Sequence, residues 1–396
     1  MGDGGDFKLL LAQALDARRA ASLYRQRRLI ERATATVASI GGAEYVNFSS
    51  NDYLGLRTHP AVVNAAAEAA RLHGAGSGAS ALVSGYTTLH ASAERALAAW
   101  KGTAASVLLP SGYQANHAAI QTIALAAQSG GRRVRFIIDK LVHASLIDAV
   151  QASGGEMRVY PHNGIDKLAR LLFDADADEL QVVVTESIFS MDGDAADLRA
   201  LVELKRRRPF VLVVDEAHGS GMYGENGSGY AAECGVAGDV DVFIVTLSKA
   251  LGSIGGAVCG GGELCESLVN FGRAYIYSTN VPPAVPAALH AALDVMRAEP
   301  QRQQRVRALA RRVREALRDA GANVMDGDSP IIPIVLGTED AAITESQRLM
   351  DAGMLVIPIR PPTVPRGSSR LRITLSCEHT DEQVDALLRA LKKPPT

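Results

Sequence analysis

Two rhythms of apolar and polar positions run through the chain. Apolar residues recur at three- and four-residue intervals in HPAVVNAAAEAARLHG (59–74), LHASAERALAAW (89–100) and YQANHAAIQTIALA (113–126), which predicts amphipathic helices. Between and beyond them stand short continuous apolar runs: SVLLP (106–110), RFIID (135–139), QVVVTES (181–187), FVLVVDE (210–216) and VFIVTL (242–247). Strands that are apolar throughout must be covered on both faces, so this alternation predicts an α/β domain with a mainly parallel sheet between helices. Upstream, residues 5–34 predict a helix with an arginine-rich face (Arg18, Arg19, Arg25, Arg27, Arg28), followed by a short strand in AEYVNF that leads into the turn residues SSNDY. From 284 onward come long helices rich in Ala and Arg, then PIIPIVLG, a helix, LVIPI, SRLRITLS and a final helix DEQVDALLRALKK, a smaller α+β arrangement. The expected division is an arm over 1–57, a large domain over 58–283 and a small C-terminal domain over 284–396.

Composition narrows the classes of function. With 47% hydrophobic residues in 396, the chain can bury a large core. Its 41 Lys and Arg against 43 Asp and Glu, a net charge of -2, give no field that would favour nucleic acid. Cys234, Cys259, Cys265 and Cys377 include no CxxC and are widely spread, which argues against a zinc site and a disulfide framework and for a reducing, cytoplasmic location. No apolar run approaches a membrane span, and MGDGGDFKLL lacks both a basic signal start and the Ser or Thr of a myristoylation sequence, so neither export nor a membrane partner is expected.

The chemistry gathers where apolar runs end. FVLVV delivers Asp215 and, three residues on, His218; 34 residues after Asp215, VFIVTL has delivered Lys249 in VTLSKALGSIGG. A lysine amine can hold the aldehyde of pyridoxal phosphate (PLP), a carboxylate can keep its pyridine nitrogen protonated, and an imidazole at 218 can reach the ring hydroxyl. Taken singly, the lysine reads as a surface group and the aspartate as a cap; the pairing favours the cofactor. DEAH at 215–218 matches a helicase box, but nucleotide chemistry would need a phosphate loop, and no Gly-Lys dipeptide occurs in the chain. GAGSGAS (74–80) and GSIGGA (252–257) lack the GxGxxG spacing of a dinucleotide site. Ser111, Gly112 and Tyr113, between a strand and a helix, offer amides to a phosphate, although a plain turn would look the same. His143 after RFIID could stack on a planar ring or simply start a helix, and Thr246 could give a hydroxyl to the phosphate or simply end a strand. Asp192 and Asp194 in FSMDGD read as turn and helix-cap residues and not as a calcium loop. Arg370 and Arg372 share a strand face; a guanidinium there could hold a carboxylate, but alternating arginines usually mark a solvated edge strand.

NFSSNDYLGL, SGASALVSGY, SGYQAN, VHASL, ESIFSMDGD, VVDEAHGSGMYGENG, TLSKALGS, YIYSTNVPP and RPPTVPRGSSRLRITLS together resemble the α-oxoamine synthases, a PLP fold-type I family with an aspartate aminotransferase-like large domain. The resemblance runs from the arm near Arg25 to the last helix. It implies Lys249 as the Schiff-base lysine, Asp215 on the pyridine nitrogen and His143 stacked on the ring. Ser190 and His218 are implied at the ring hydroxyl, Thr246 with the Gly112 and Tyr113 amides at the phosphate, and Asn51 with Arg372 at the amino-acid carboxylate. It further implies a homodimer in which Ser278 and Thr279 approach the neighbouring subunit's phosphate. Within the family, IRPPTVP (359–365), with Thr363, most resembles the biotin-pathway members that join L-alanine to a pimeloyl thioester, and Arg25 matches an arm position that can meet the acyl group or be a solvated face. Leu82 departs from the His or Arg of related synthases. Relatives that use glycine with short acyl groups or serine with long ones are the alternatives, as is a noncatalytic partner subunit, which would be expected to lack Lys249.

Overall fold

The computed structural model describes residues 4–392 except 174, 175, 177 and 326. The chain forms two compact units, one of residues 51–306 and one of residues 1–50 with 307–396. The sequence cut the chain at 57 and 283; the segment before Asn51 instead groups with the C-terminal segment because their strands pair. Helix α1 (Gly4–Ala20) ends well before residue 34. At Ser22 the backbone turns left-handed, with φ 55°, and the Leu23 amide returns to the Arg18 carbonyl, which closes the helix and leaves Arg25, Arg27 and Arg28 outside it. Strands β1 (Arg32–Ala33), β2 (Val37–Ile40) and β3 (Ala43–Asn47) follow as an antiparallel meander. Gly41 and Gly42, both at positive φ, make the tight turn between β2 and β3.

The larger unit opens with helices α2 (Pro60–His73) and α3 (Thr88–Lys101). It continues through β4 (Ala105–Leu109), α4 (Gly112–Ser129), β5 (Arg133–Asp139), α5 (Ala144–Ser153), β6 (Glu156–Tyr160), α6 (Ile165–Phe173), β7 (Glu179–Glu186), α7 (Leu198–Arg207) and β8 (Val211–Asp215). The short α8 (Tyr230–Glu233), β9 (Val242–Thr246), β10 (Gly256–Gly260), α9 (Gly262–Phe271), the short α10 (Arg273–Ile276) and α11 (Ala284–Ala298) complete it. The sheet has the order β4-β10-β9-β8-β7-β5-β6. Only the β10 pairings are antiparallel, as the sequence pattern of a mainly parallel sheet requires. Successive strand residues go to opposite faces: Val182, Val184, Val213 and Ile244 pack with α4 and α5, while Val183, Leu212, Val214 and Phe243 are buried on the other side. Burial on both faces explains why these strands read as unbroken apolar runs. Strands β6 and β10 escape that signal. β6 is partly exposed, and β10 is made of small residues because the start of α4 crosses it closely: a Cβ on Gly256 would lie 2.7 Å from the Gly112 backbone. α7 is capped by Asp197, whose side chain accepts from the Ala200 amide at 3.0 Å, so the cap is not Asp192 or Asp194.

α12 (Gln301–Asp319) carries the chain across residue 306. In the smaller unit β11 (Ile331–Gly337), α13 (Glu339–Asp351), β12 (Met354–Leu355), β13 (Ile357–Ile359), β14 (Ser369–Thr374) and α14 (Asp381–Leu391) follow. β12 joins the N-terminal meander parallel to β3, and β11, β14 and β13 form a separate antiparallel sheet. β14 is its middle strand, so Arg370 and Arg372 are buried, contrary to the solvated edge their alternation suggests. Among the described residues all four cysteines are free, no group of side chains could hold a metal, and no helix is long and apolar enough to cross a membrane.

Candidate active site

At the carboxyl ends of the larger unit's parallel strands lies a cavity of about 240 Å³. Five strands each hand one element to it. β4 leads into the start of α4, β5 into His143, β7 ends at Glu186 and continues to Ser190, β8 ends at Asp215 before His218, and β9 ends at Thr246 before Lys249; all of these line the cavity. Nine residues expected from sequence are thereby brought to one wall set: Ser111, Gly112, Tyr113, His143, Ser190, Asp215, His218, Thr246 and Lys249.

Asp215 is buried and held by two donors, the Ala217 amide to Oδ1 and Asn116 Nδ2 to Oδ2, each at 2.9 Å. Asn116 in turn reaches Ser145 Oγ at 2.9 Å, tying α4 to α5 beneath the acid. His218 Nδ1 lies 2.5 Å from the hydroxyl of Tyr53, a fully buried residue whose hydroxyl also points to Asn51 Oδ1 at 3.4 Å. Lys249 Nζ donates to Thr246 Oγ1 at 3.4 Å. His143 caps α5: the Ser145 amide donates to its Nδ1 at 3.2 Å. Burial pushes the His143 imidazole below its usual range; Asp215 opposes this and Lys249 adds to it, so the ring is neutral at physiological pH. At the start of α4 the Ser111 hydroxyl accepts from the Gln114 amide at 3.2 Å. Gly112 is held so near Thr246 that a Cβ would stand 2.4 Å from its Cγ2, which fixes this helix start beside the β9 end.

Behind the lining two charged clusters hold the loops. His162 Nδ1 sits 3.0 Å from Asp139 Oδ1 and Nε2 2.6 Å from Asp194 Oδ2, which pins the loop bearing Ser190 to the end of β5. Burial disfavours its charge, but the two carboxylates outweigh burial and push the imidazole up to about 10. Lys101 and Glu216 form a fully buried pair at 4.0 Å, and Glu216 also accepts the Tyr230 and Ala231 amides at 3.0 and 2.8 Å, bracing the segment after His218.

The other expected site residues lie elsewhere. Ser278 Oγ receives Gln114 Nε2 at 2.8 Å and Thr279 bridges Ser80, both outside the cavity lining. Leu82 is 53% exposed. Arg25, Thr363 and Arg372 belong to the smaller unit, where Arg25 Nη2 donates to Thr363 Oγ1 at 3.3 Å and Arg372 Nη1 to Thr374 Oγ1 at 3.0 Å. Sequence reasoning missed Tyr53, Asn116, Ser145 and Glu186. Glu186 carries the same signal that found Asp215, an acid at the carboxyl end of a buried strand.

The donor set fits PLP: an amine beside a hydroxyl, a doubly supported carboxylate, a neutral imidazole at a helix start and the N-terminus of α4 face one cavity. The aminotransferase class I and II family matches residues 43–391, and the chain belongs to it. More narrowly, it is 44% identical over 382 residues to the 8-amino-7-oxononanoate synthase of Pseudomonas putida (strain GB-1), with 96% of each chain covered. Among solved structures, a serine palmitoyltransferase variant from S. paucimobilis with bound PLP superposes at TM-score 0.90, with 28% identity, over 98% of this chain and 97% of that one. The 8-amino-7-oxononanoate synthase of Francisella tularensis superposes at 0.76, with 25% identity, over 88% of this chain and 97% of that one.

Proposed function

We propose that this chain is a PLP-dependent acyltransferase that condenses L-alanine with a pimeloyl thioester, releasing carbon dioxide and free thiol and giving 8-amino-7-oxononanoate for biotin biosynthesis. The observation that carries the reading is the convergence of Lys249, Asp215, His218, His143 and the start of α4 on one cavity. Identity of 44% across nearly the whole of a curated synthase supports the choice of substrates.

Bound PLP supplies an electron sink for carbanion charge at the α-carbon of an amino acid. Lys249 Nζ would hold the cofactor aldehyde and is the amine placed to move the substrate's α-proton. Asp215 keeps a proton on the pyridine nitrogen, and its two donors orient the carboxylate for that task. A neutral His143 covers the ring without adding positive charge. The amides at Gly112 and Tyr113, with the Thr246 hydroxyl, receive the phosphate. His218, set by Tyr53, and Ser190 serve the ring hydroxyl, while Asn51 and Arg372 receive the amino-acid carboxylate and Arg25 and Thr363 the acyl substrate. The active unit is a cytoplasmic homodimer in which Ser278 and Thr279 complete the partner's site.

The superposition on serine palmitoyltransferase, at TM-score 0.90, favours a second reading, serine with a long-chain thioester. A panel of alanine, glycine and serine against pimeloyl, acetyl, succinyl and palmitoyl thioesters, read by thiol release, separates the two. Alanine with pimeloyl is expected to give the highest specificity constant. A maximum at serine with palmitoyl, or at glycine with a short acyl group, would overturn the substrate assignment.

A further inference from the structure

Two buried polar residues of the cavity wall, Asn116 and Ser145, have no part in the roles above. Asn116, near the start of α4, is 2% exposed, and Ser145, at the start of α5, is fully buried. Together they complete an unbroken line of hydrogen bonds between the acid proposed for the pyridine nitrogen and the imidazole proposed to cover the ring. Asn116 Nδ2 lies 2.9 Å from Asp215 Oδ2 and 2.9 Å from Ser145 Oγ, and Ser145 Oγ lies 2.7 Å from His143 Nδ1. All four side chains line the same cavity.

The direction of donation along this line follows from its two ends. The Asp215 carboxylate, which also takes the Ala217 amide, only accepts, so the amide nitrogen of Asn116 must face it. The second hydrogen on that nitrogen goes to Ser145 Oγ, and Asn116 Oδ1 is left buried with no partner among the described residues. An unpaired buried acceptor is disfavoured, so this orientation of the amide needs a reason in the site. At the other end the Ser145 main-chain N–H points at His143 Nδ1 from 3.2 Å, and a main-chain N–H cannot accept. Nδ1 is therefore the bare nitrogen, and Nε2 carries the ring proton. With Asn116 donating to its oxygen, the Ser145 hydroxyl turns its own proton to Nδ1 as a second donor.

We propose that Asn116 and Ser145 are positioning residues of the cofactor site, a polar relay that orients the Asp215 carboxylate and locks His143 in the Nε2–H tautomer. Its consequence for the cofactor rests on the PLP reading; the relay itself does not. A ring whose Nδ1 receives two donors can take a second proton only by breaking both contacts, so the relay keeps the imidazole neutral. The ionisable groups around it are Asp215 and Glu186 at the ends of β8 and β7, Lys249 after β9 and Asp148 on α5. Burial disfavours a charged ring most; Asp215 favours it, Lys249 opposes it and Asp148 favours it, so the donors at Nδ1 act in the same direction as burial.

Nuclear magnetic resonance of the full chain, isotope-labelled at its histidine nitrogens and without added PLP, reads the tautomer directly. The His143 signals, assigned by their loss in His143→Asn, which keeps a capping side chain, are expected to show a protonated Nε2 and a bare Nδ1. A protonated Nδ1 would overturn the relay even if no relay variant folds. Ser145→Ala deletes the hydroxyl and keeps the amide, so the protonation midpoint of His143, followed by hydrogen exchange at its ring Cε1 with peptide mapping, is expected to rise by about one pH unit. Asn116→Ala should raise it by less, because the hydroxyl remains, and should weaken PLP binding about tenfold through the donor lost from Asp215. A merely structural role would lower the melting temperature and leave the midpoint where it is. Unchanged midpoints in the folded variants would contradict the lock on His143, and unchanged PLP affinity in Asn116→Ala would contradict the orientation of Asp215. Failure of the wild-type chain to bind PLP at all would sink the functional reading, while the tautomer and the midpoints would still decide the relay.

Discussion

Asp215 owes its position to three parts of the chain: β8 ends on it, the Ala217 amide fixes one oxygen and Asn116 from α4 fixes the other. Replacing it with Asn keeps the shape but removes the charge that would hold a proton on the pyridine nitrogen. Asp215→Asn is therefore expected to retain cofactor and to raise the barrier by about 3 kcal/mol or more, measured as kcat for thiol release; near-normal turnover would remove Asp215 from that role. Lys249→Ala is expected to bind PLP only reversibly, so that borohydride reduction followed by peptide mapping labels Lys249 in the wild type and nothing in the variant. These two residues, with His218, were legible because each follows an apolar strand and their chemical types match one cofactor. Tyr53 was not: it lies far upstream in the sequence, and a tyrosine in SSNDY reads as a turn residue, although folding buries its hydroxyl against His218. Asn116 was hidden in a helix whose other buried residues are mostly apolar, where one polar side chain gives no periodic signal.

At the level of elements, histidines at two junctions make the fold sensitive to pH in opposite senses. His162 joins the ends of β5 and the Ser190 loop as an imidazolium held to about 10, against about 6.5 for an unfolded histidine. Its contribution is complete below pH about 6.5 and is lost as pH rises toward 10. His162→Gln should destabilise the protein by about 1–2 kcal/mol at pH 6, the lower end reflecting partial solvent screening, and denaturant melts should show the deficit shrinking toward pH 10. His379, before α14, behaves in reverse. Buried against Phe48 at 4.5 Å, it accepts the Ser376 amide at 2.9 Å on Nδ1 and faces the Asn47 carbonyl with Nε2 at 3.2 Å, and burial lowers it to about 4. The unfolded chain then binds the extra proton first, so stability is full above pH about 6.5 and falls as pH drops toward 4. His379→Gln should flatten that part of the stability profile; an unchanged acid slope would place its origin elsewhere. Periodicity gave five of the seven strands of the large sheet, missed β6 and β10, and misjudged α1 and β14, because a left-handed backbone at Ser22 and the central place of β14 depend on pairing and packing that no local pattern encodes.

For the whole molecule, the division into 51–306 and 1–50 with 307–396 is the feature least visible in sequence, since it rests on β12 pairing with β3 across most of the chain. The cavity belongs entirely to the larger unit, as does Asn51, whereas Arg25, Thr363 and Arg372, three of the four residues proposed to hold substrate, belong to the smaller. The proposed dimer adds a further division of labour. Mixing Lys249→Ala subunits with subunits carrying Ser278→Ala and Thr279→Ala should restore one intact site per mixed dimer, seen as recovered turnover; no recovery on verified subunit exchange would separate Ser278 and Thr279 from the partner's site. The central claim is that this assembly joins two carbon skeletons while expelling the amino-acid carboxylate. Its most direct measurement is turnover of carboxyl-labelled L-alanine with a pimeloyl thioester by the purified chain. Labelled carbon dioxide and free thiol are predicted to appear in equal amounts with the wild type and not with Lys249→Ala. Thiol release without labelled carbon dioxide, or equal release from both proteins, would contradict the account.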